Sequence, residues 1–273
     1  MRRQFSFTRF FAAIIALFLV ATVAPAAENN SPILNRIGKT QTIRVGMSGN
    51  QAPFNMTNRD GKIIGFDVDL ATLLSNAMGV RLEIVPMPFV KLLPELEDAN
   101  LDLVISGVTA TLQRNTRVPF VGPYFVTGNS ILTKTATIET IDTEEELRKG
   151  NWRIAVMKGS TSEDFAFNLL NKPQLTSTDT QAEAVQLLLD DKVDAVIADA
   201  PVCALAILRN PDAGLATLKQ PLTIEPISIA LAPGDALLIN LVQNYMQALQ
   251  ATGALDALRT KWFKNAAWMA QMP

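Results

Sequence analysis

Strand-like and helix-like segments alternate along this chain, and the alternation occurs twice. That order restricts the fold more than any other feature, because strands separated by amphipathic helices assemble into parallel or mixed sheets with helices on their faces. The first round begins with "TIRVGMS" (42–48), whose β-branched, alternating residues predict a strand. After Pro53 and a turn at "RDG", a short strand is expected at residues 62–64. "DVDLATLLSNAMG" (67–79) predicts a helix with Asp67 as cap, Leu70, Leu73, Leu74 and Ala77 on one face, and Gly79 closing it. "VRLEIVPM" (80–87) is a strand, and "FVKLLPELEDANLD" (89–102) a helix with Leu92, Leu93 and Leu96 inward. "LDLVISGVT" (101–109) is a buried strand. Residues 27–40 show no periodicity and are read as a tail.

The second round runs through a strand at 129–136, a short acidic helix at 142–150, a strand at 152–160 and a helix at 161–171. It continues with a helix at 179–192, a strand at 193–200 and a helix at 200–210. "IEPISIALAPG" (224–234) reads as one more strand, and residues 235–263 as one or two helices. No Gly/Ser-rich linker separates the rounds, so two lobes in close contact are expected. The closing "KNAAWMAQMP" gives no reading.

The remaining composition excludes most chemistry. The chain has no histidine, so a Ser-His-Asp triad, a Cys-His pair and histidine-ligated metal sites are impossible. No metal and no cofactor are expected. Its single cysteine, Cys203, rules out an intramolecular disulfide and lies in the apolar run "PVCALAIL", where a buried thiol is expected. At the N-terminus, Arg2, Arg3 and Arg9 precede the apolar stretch Phe10–Ala24 and a small-residue cleavage pattern at Ala24-Pro25-Ala26. As a helix this stretch spans roughly 22 Å, short of a bilayer core of about 30 Å. Residues 1–26 therefore read as a secretory signal peptide. No cysteine follows the cleavage site, which argues against a lipid anchor and for a soluble protein of an envelope compartment. Setting those three arginines aside lowers the basic residues from 24 to 21 against 26 acidic ones, which leaves no basic footprint for nucleic acid.

In open α/β sheets ligands bind beyond the carboxyl ends of the strands, where helix N-termini point. The residues just past the expected strands are Ser48 to Phe54 (with Gln51 among them), Phe89, Gly107 to Thr109, Gly159 to Thr161 (with Ser160), and Asp199, with Arg114 five residues after Thr109. One guanidinium, one carboxylate, hydroxyls, backbone amides and two rings suit an α-amino acid zwitterion. Arg114 can hold a carboxylate through two parallel hydrogen bonds, and Asp199 can pair with an ammonium. Each feature also has a plain alternative. Arg114 and Arg117 fit solvated surface cations, Asp199 fits a helix cap, Phe54 and Phe89 fit core residues, and Ser160-Thr161 fits a helix start.

Four segments decide the comparison: "GFDVDLATLL" (65–74), "ISGVTATLQRNTRVPFVGPYF" (105–125), "KGST" (158–161) and "VDAVIADAP" (193–201). In this order and spacing they resemble the extracellular solute-binding proteins of family 3, the polar amino-acid-binding components of ABC importers. The resemblance runs from about residue 41 to 264 and implies a two-lobed, periplasmic binding protein-like α/β fold of type II. Each lobe would be a mixed, mostly parallel sheet flanked by helices, with two hinge strands near Val126–Gly128 and Thr223–Pro226. Lobe one would be residues 41–126 plus 224–264, lobe two 127–223, and 265–273 a tail. The resemblance makes Arg114 the carboxylate-binding arginine, with Gly107, Thr109 and Thr161 beside it, Asp199 on the ammonium and Phe89 under the ligand side chain. It implies a monomer that captures an amino acid by hinge closure, delivers it to a membrane permease and is not an enzyme.

Two departures bear on the ligand. Gln51 stands where family members often have an aromatic ring, and Ser48 where members that select cationic side chains carry an acid. Both favour a polar or neutral side chain. A second reading is an enzyme on the same scaffold, similar to cyclohexadienyl dehydratases, with Glu163 and Asp164 as available carboxylates.

Overall fold

The computed structural model describes residues 31–138, 151–169 and 174–272. The expected signal segment and the expected acidic helix at 142–150 lie outside the described residues. Along the chain come α1 (Pro32–Thr40), β1 (Thr42–Met47), β2 (Asn50–Gln51), β3 (Asn55–Thr57), β4 (Ile63–Ile64), α2 (Phe66–Met78), β5 (Arg81–Pro86), α3 (Phe89–Glu97) and β6 (Leu103–Val104). Then follow α4 (Leu112–Asn115), β7 (Phe120–Thr127), β8 (Asn129–Lys134), α5 (Thr135–Ile138), β9 (Arg153–Met157), α6 (Thr161–Leu169), β10 (Gln174–Thr178), α7 (Gln181–Leu189), β11 (Ala195–Asp199) and α8 (Ala200–Arg209). The chain ends with β12 (Leu215–Thr217), β13 (Glu225–Leu231), α9 (Ala236–Ala251), α10 (Ala254–Arg259), a π turn at Thr260–Lys264 and a 3-10 turn at Ala267–Gln271.

The strands form two five-stranded sheets, ordered β5-β1-β6-β13-β7 and β10-β9-β11-β8-β12, and a small antiparallel sheet, β2-β3-β4. In the first large sheet β5, β1 and β6 are parallel, while β13 runs antiparallel to both β6 and β7. In the second, β10, β9 and β11 are parallel, and β8 and β12 are antiparallel additions. Each sheet with its helices makes one lobe. Strands with helices on both faces are buried throughout, which is why all five residues of β11 are buried and its sequence is nearly all apolar.

Two crossings join the lobes, and they lie side by side. β7 belongs to the first sheet and β8 to the second, with only Gly128 between them. The return path from β12 enters β13, whose first residue pairs with the last of β7, Glu225 with Thr127. A Cβ on Gly128 would sit 1.9 Å from the Thr223 carbonyl oxygen, so only glycine permits this approach.

Residues 32–40 are a helix, not a tail: Ile33 and Ile37 enter the first lobe's core. The buried Asp235 carboxylate binds this helix, accepting from the amides of Ile33 and Leu34 at 3.0 Å while also capping α9 through the Leu238 amide at 2.9 Å. One acid thus satisfies donors at two helix N-termini, where negative charge is favoured. Asp67 does not cap α2, because Gly65 holds the cap position and the Asp67 side chain is buried. Ala77 is exposed and Leu73 only half-buried; the inner face of α2 is Phe66, Leu70, Ala71 and Leu74. The strand expected over 101–109 is regular only at Leu103–Val104 and continues as buried chain through a single bridge from Thr109 to Ile227. β2, β3, β10 and β12 are not among the expected strands because they are two to five residues long and carry little alternation, and of the eight-residue β7, which contains Gly122-Pro123, only the hinge end near Val126 is expected.

The closing residues are ordered as well. Trp268 is buried and donates its indole N–H to the Trp262 carbonyl at 3.0 Å, and Arg59 donates to the Met272 carbonyl at 2.6 Å. The chain therefore folds back across the first lobe toward the small sheet.

Candidate functional site

The carboxyl ends of β1 and β6 from the first lobe meet those of β9 and β11 from the second. The clearest evidence is a pair of reciprocal contacts. Arg114, on the single-turn helix α4, donates to the Thr109 carbonyl of its own lobe at 3.0 Å and to the Gly159 carbonyl of the other at 3.0 Å. In return Asp199, at the end of β11, accepts from Gln51 Nε2 of the first lobe at 3.2 Å. The Thr111 hydroxyl accepts from the Arg114 amide and so fixes the start of α4, which aims the guanidinium into the interface. Arg117 points elsewhere and pairs with Glu97 at 2.7 Å on the surface.

Around this pair the remaining candidates divide. Gly107 has φ +59, and a Cβ there would lie 2.7 Å from the Gln51 amide. Glycine at 107 therefore leaves room for the Gln51 side chain that reaches Asp199. Thr109 is buried, and its carbonyl aligns Arg114. Phe89 is buried at the start of α3, beside Val90, whose side chain faces Gly159 across the interface. Ser160 is buried, but its hydroxyl donates to the Met157 carbonyl at 2.6 Å, holding the turn before α6. Thr161 begins α6 and is half-buried. Ser48 is half-buried and donates to Asn55 Oδ1 at 3.0 Å, so its hydroxyl serves the loop.

Phe54 departs from expectation. It is fully buried, with its ring 5.4 Å from Phe125 and 5.2 Å from Phe263, in an aromatic cluster of the core rather than at the interface. The amides expected from "KGST" are also partly engaged internally: Gly159 N–H donates to Glu163 Oε2 and Ser160 N–H to the Met157 carbonyl.

Electrostatics concentrate on two acids. Burial pushes the Asp199 carboxyl up to about 7; the nearby Glu225 charge adds to this, while Gln51 and Arg114 oppose it. Its Oδ1 and the Gln51 Oε1 are buried and have no hydrogen-bond partner. Burial likewise raises Asp67 to about 6, although Asn55 and Tyr124 donate to it at 2.8 Å each. The sequence reading offers Asp67 only as a helix cap and gives Tyr124 and Asn55 no role at the site. They support the site from behind, since Tyr124 Oη also accepts from the Gly107 amide and Asn55 Oδ1 from the Gly49 amide. A second buried network lies at the crossing. Ser162 donates to Asn129 Oδ1 at 2.6 Å, and Asn129 and Thr223 donate to Glu225 Oε1 at 2.9 and 2.8 Å. A carboxylate inside the apolar run "IEPISIAL" was the available signal for it.

The raised Asp67 value has a consequence for stability. Its folded value lies above the unfolded 3.8, so between those values the folded chain holds a proton that the unfolded chain has lost. The group's contribution is therefore complete below about pH 4 and is lost as pH rises through about 6, a change of about 3 kcal/mol. Urea titrations from pH 4 to 7 should show a shallower decline for Asp67→Asn than for the parent chain. Parallel pH profiles would contradict the assignment.

Among the described residues no cluster of His, Cys, Asp or Glu could hold a metal ion, and no helix is long and apolar enough to cross a membrane. Residues 43–265 match the bacterial extracellular solute-binding proteins, family 3. The chain belongs to that family. This solute-binding protein is 28% identical over 250 residues to the L-cystine-binding protein TcyJ of Escherichia coli K12, covering 92% of this chain and 93% of that one. It is 26% identical to the cyclohexadienyl dehydratase of Pseudomonas aeruginosa, over 95% of this chain and 96% of the other. Among solved structures, a lysine-complexed ABC-transporter binding component from Wolinella succinogenes has a TM-score of 0.80 at 34% identity, covering 84% of this chain and 99% of that one. Such neighbours are two-domain binding proteins, and the α/β fold with two mixed sheets is theirs.

Proposed function

We propose that this solute-binding protein is exported to the periplasm by residues 1–26, remains soluble and monomeric, captures an amino acid by hinge closure and presents it to an ABC permease. The lobes would be residues 41–126 plus 224–264, joined by α1 and the closing turn that pack on them, and residues 127–223. The observation that carries this reading is the reciprocal pair. A guanidinium from one lobe and a carboxylate from the other each reach across the interface, and the carboxylate keeps one buried oxygen without a partner. A zwitterion offers complementary charges to both. Its carboxylate would replace the backbone carbonyls on Arg114 and lie beside Gly107, Thr109, Ser160 and Thr161. Its ammonium would take the open Asp199 oxygen, and its side chain would rest on Phe89 and Gln51. Because both lobes hold the ligand, it stabilises the closed arrangement.

Gln51 supplies an amide where an aromatic ring would favour stacked or cationic side chains, and the Ser48 hydroxyl is committed to Asn55. A neutral or polar side chain follows. Calorimetry against the common amino acids should find at least one that binds. A tight ligand at 100 times its Kd should stabilise the fold by about 2.7 kcal/mol. Asp199 must be ionised to hold an ammonium, so affinity should fall about tenfold for each pH unit below about 7, with proton release on binding. Absence of heat with every amino acid would remove the reading.

A catalytic reading draws support from the same carboxyl, since an acid titrating near neutrality can protonate a leaving group. Of the two acids weighed for that role in the sequence, Glu163 is engaged by the Gly159 amide and the Ser177 hydroxyl, and Asp164 is exposed. Aromatic product formed from prephenate or arogenate would favour an enzyme; we hold that the protein is none.

A further inference from the structure

Behind β2 lies a second space between the lobes. Side chains alternate along an extended strand. Gln51 faces Asp199, so its neighbours Asn50 and Ala52 face the other way, where they line a cavity of about 480 Å³. Met56 of β3 continues this wall, Gln181 and Val185 of α7 with Val202 of α8 form the opposite one, and Met272 of the closing turn borders it. The volume is that of a small-molecule site, and junctions between domains are where such sites concentrate.

Two polar atoms in this mixed lining are unsatisfied. Gln181 is 4% exposed and its Oε1 is buried with no hydrogen-bond partner; Asn50 Oδ1 is buried and equally without one. Buried oxygens of this kind are destabilising unless something donates to them. The two residues come from opposite lobes, and both line one cavity. Arg209, on the same wall, is already engaged.

We propose that this cavity is a second ligand site, for a small uncharged molecule with an apolar body and an N–H or O–H donor. The donor meets the Gln181 and Asn50 oxygens, and the body packs on Met56, Val185, Val202 and Met272. Since both lobes form the walls, its occupant binds more tightly when the lobes are together. By linkage it strengthens ligand capture at the Arg114–Asp199 site.

Indole and 1-methylindole make the test, as they share a ring system and differ in the donor. With methyl-labelled protein, indole should shift the Met56, Val185 and Met272 methyl resonances saturably at millimolar concentration or below. It should bind at least tenfold more tightly than 1-methylindole. In Gln181→Leu, of similar volume and with the Thr180 cap of α7 untouched, the two probes should bind within about twofold of each other. Absence of saturable shifts, shifts confined to residues around Arg114, or equal binding of the two probes to the parent chain would each overturn the proposal. Amino-acid calorimetry on the same samples reports the first site separately, so either site can fail alone.

Discussion

Arg114→Ala should lose amino-acid binding while keeping the fold. In calorimetry the expected loss is about 2–5 kcal/mol, the range for truncating one partner of a buried, hydrogen-bonded charge pair. That corresponds to about 30-fold to several thousand-fold in Kd. The magnitude follows from what remains. The ligand carboxylate would enter a partly dry interface where the acids acting on the Arg114 position, Asp164, Glu225 and Asp199, are of its own sign. Stability should change little, since Arg114 is only half-buried and its side chain bonds to two backbone carbonyls, those of Thr109 and Gly159. Arg114→Lys should recover little affinity, because an ammonium cannot place two parallel donors on one carboxylate. Arg117→Ala, which breaks only a surface pair with Glu97, is the matched control and should bind normally. Binding retained by Arg114→Ala would place the carboxylate elsewhere and end the proposed assignment.

The difference between those two arginines was legible in sequence only through motif resemblance. Spacing alone gave both the same surface reading, because the one that matters sits on a single helical turn with no periodicity. Long elements with a regular apolar pattern were legible directly: α2, α7, α9, β1 and β11 lie where the alternation puts them. The misreadings share a physical cause. α1 has only two buried residues, and its attachment comes from Asp235, about 200 positions away, which no local pattern reveals. Asp67 has the sequence profile of a cap because acids at helix starts usually face solvent. Here β3 supplies Asn55 and β7 supplies Tyr124, which cover the carboxylate. The distance of Phe54 from a strand end suits a cleft residue, but its ring is drawn into the core by the rings of Phe125 and Phe263, which come from remote parts of the chain.

The loop around Phe54 also links site and stability. Gly65 has φ +145, and a Cβ there would lie 2.2 Å from the Phe54 carbonyl oxygen, so the chain entering α2 touches the loop that carries Gln51. The amides of Phe66 and Asp67 then donate to the Pro53 and Phe54 carbonyls at 3.1 and 2.8 Å. The start of α2 therefore positions both the interface loop behind Gln51 and the acid behind Gly107.

Phe66→Ala tests that linkage and should be the most destabilising substitution considered. The ring is fully buried, stacks on Tyr124 at 5.5 Å and packs at 5.6 Å from Phe263. It thus joins α2 to β7 and to the π turn after α10. Removing it deletes the buried ring and leaves a cavity that three separate elements would have to move to close. Such truncations typically destabilise by 3–5 kcal/mol, roughly 6–20 °C in melting temperature for a protein of this size. Phe66→Leu keeps most of the volume and should lose much less. Affinity offers the sharper comparison. If the α2 start positions Gln51 and Gly107, Phe66→Ala should also weaken ligand binding under conditions where it is still folded, whereas a core truncation at Leu188 in the second lobe should lower stability alone. Equal binding by both truncations would mean that the aromatic cluster stabilises the first lobe without shaping its site.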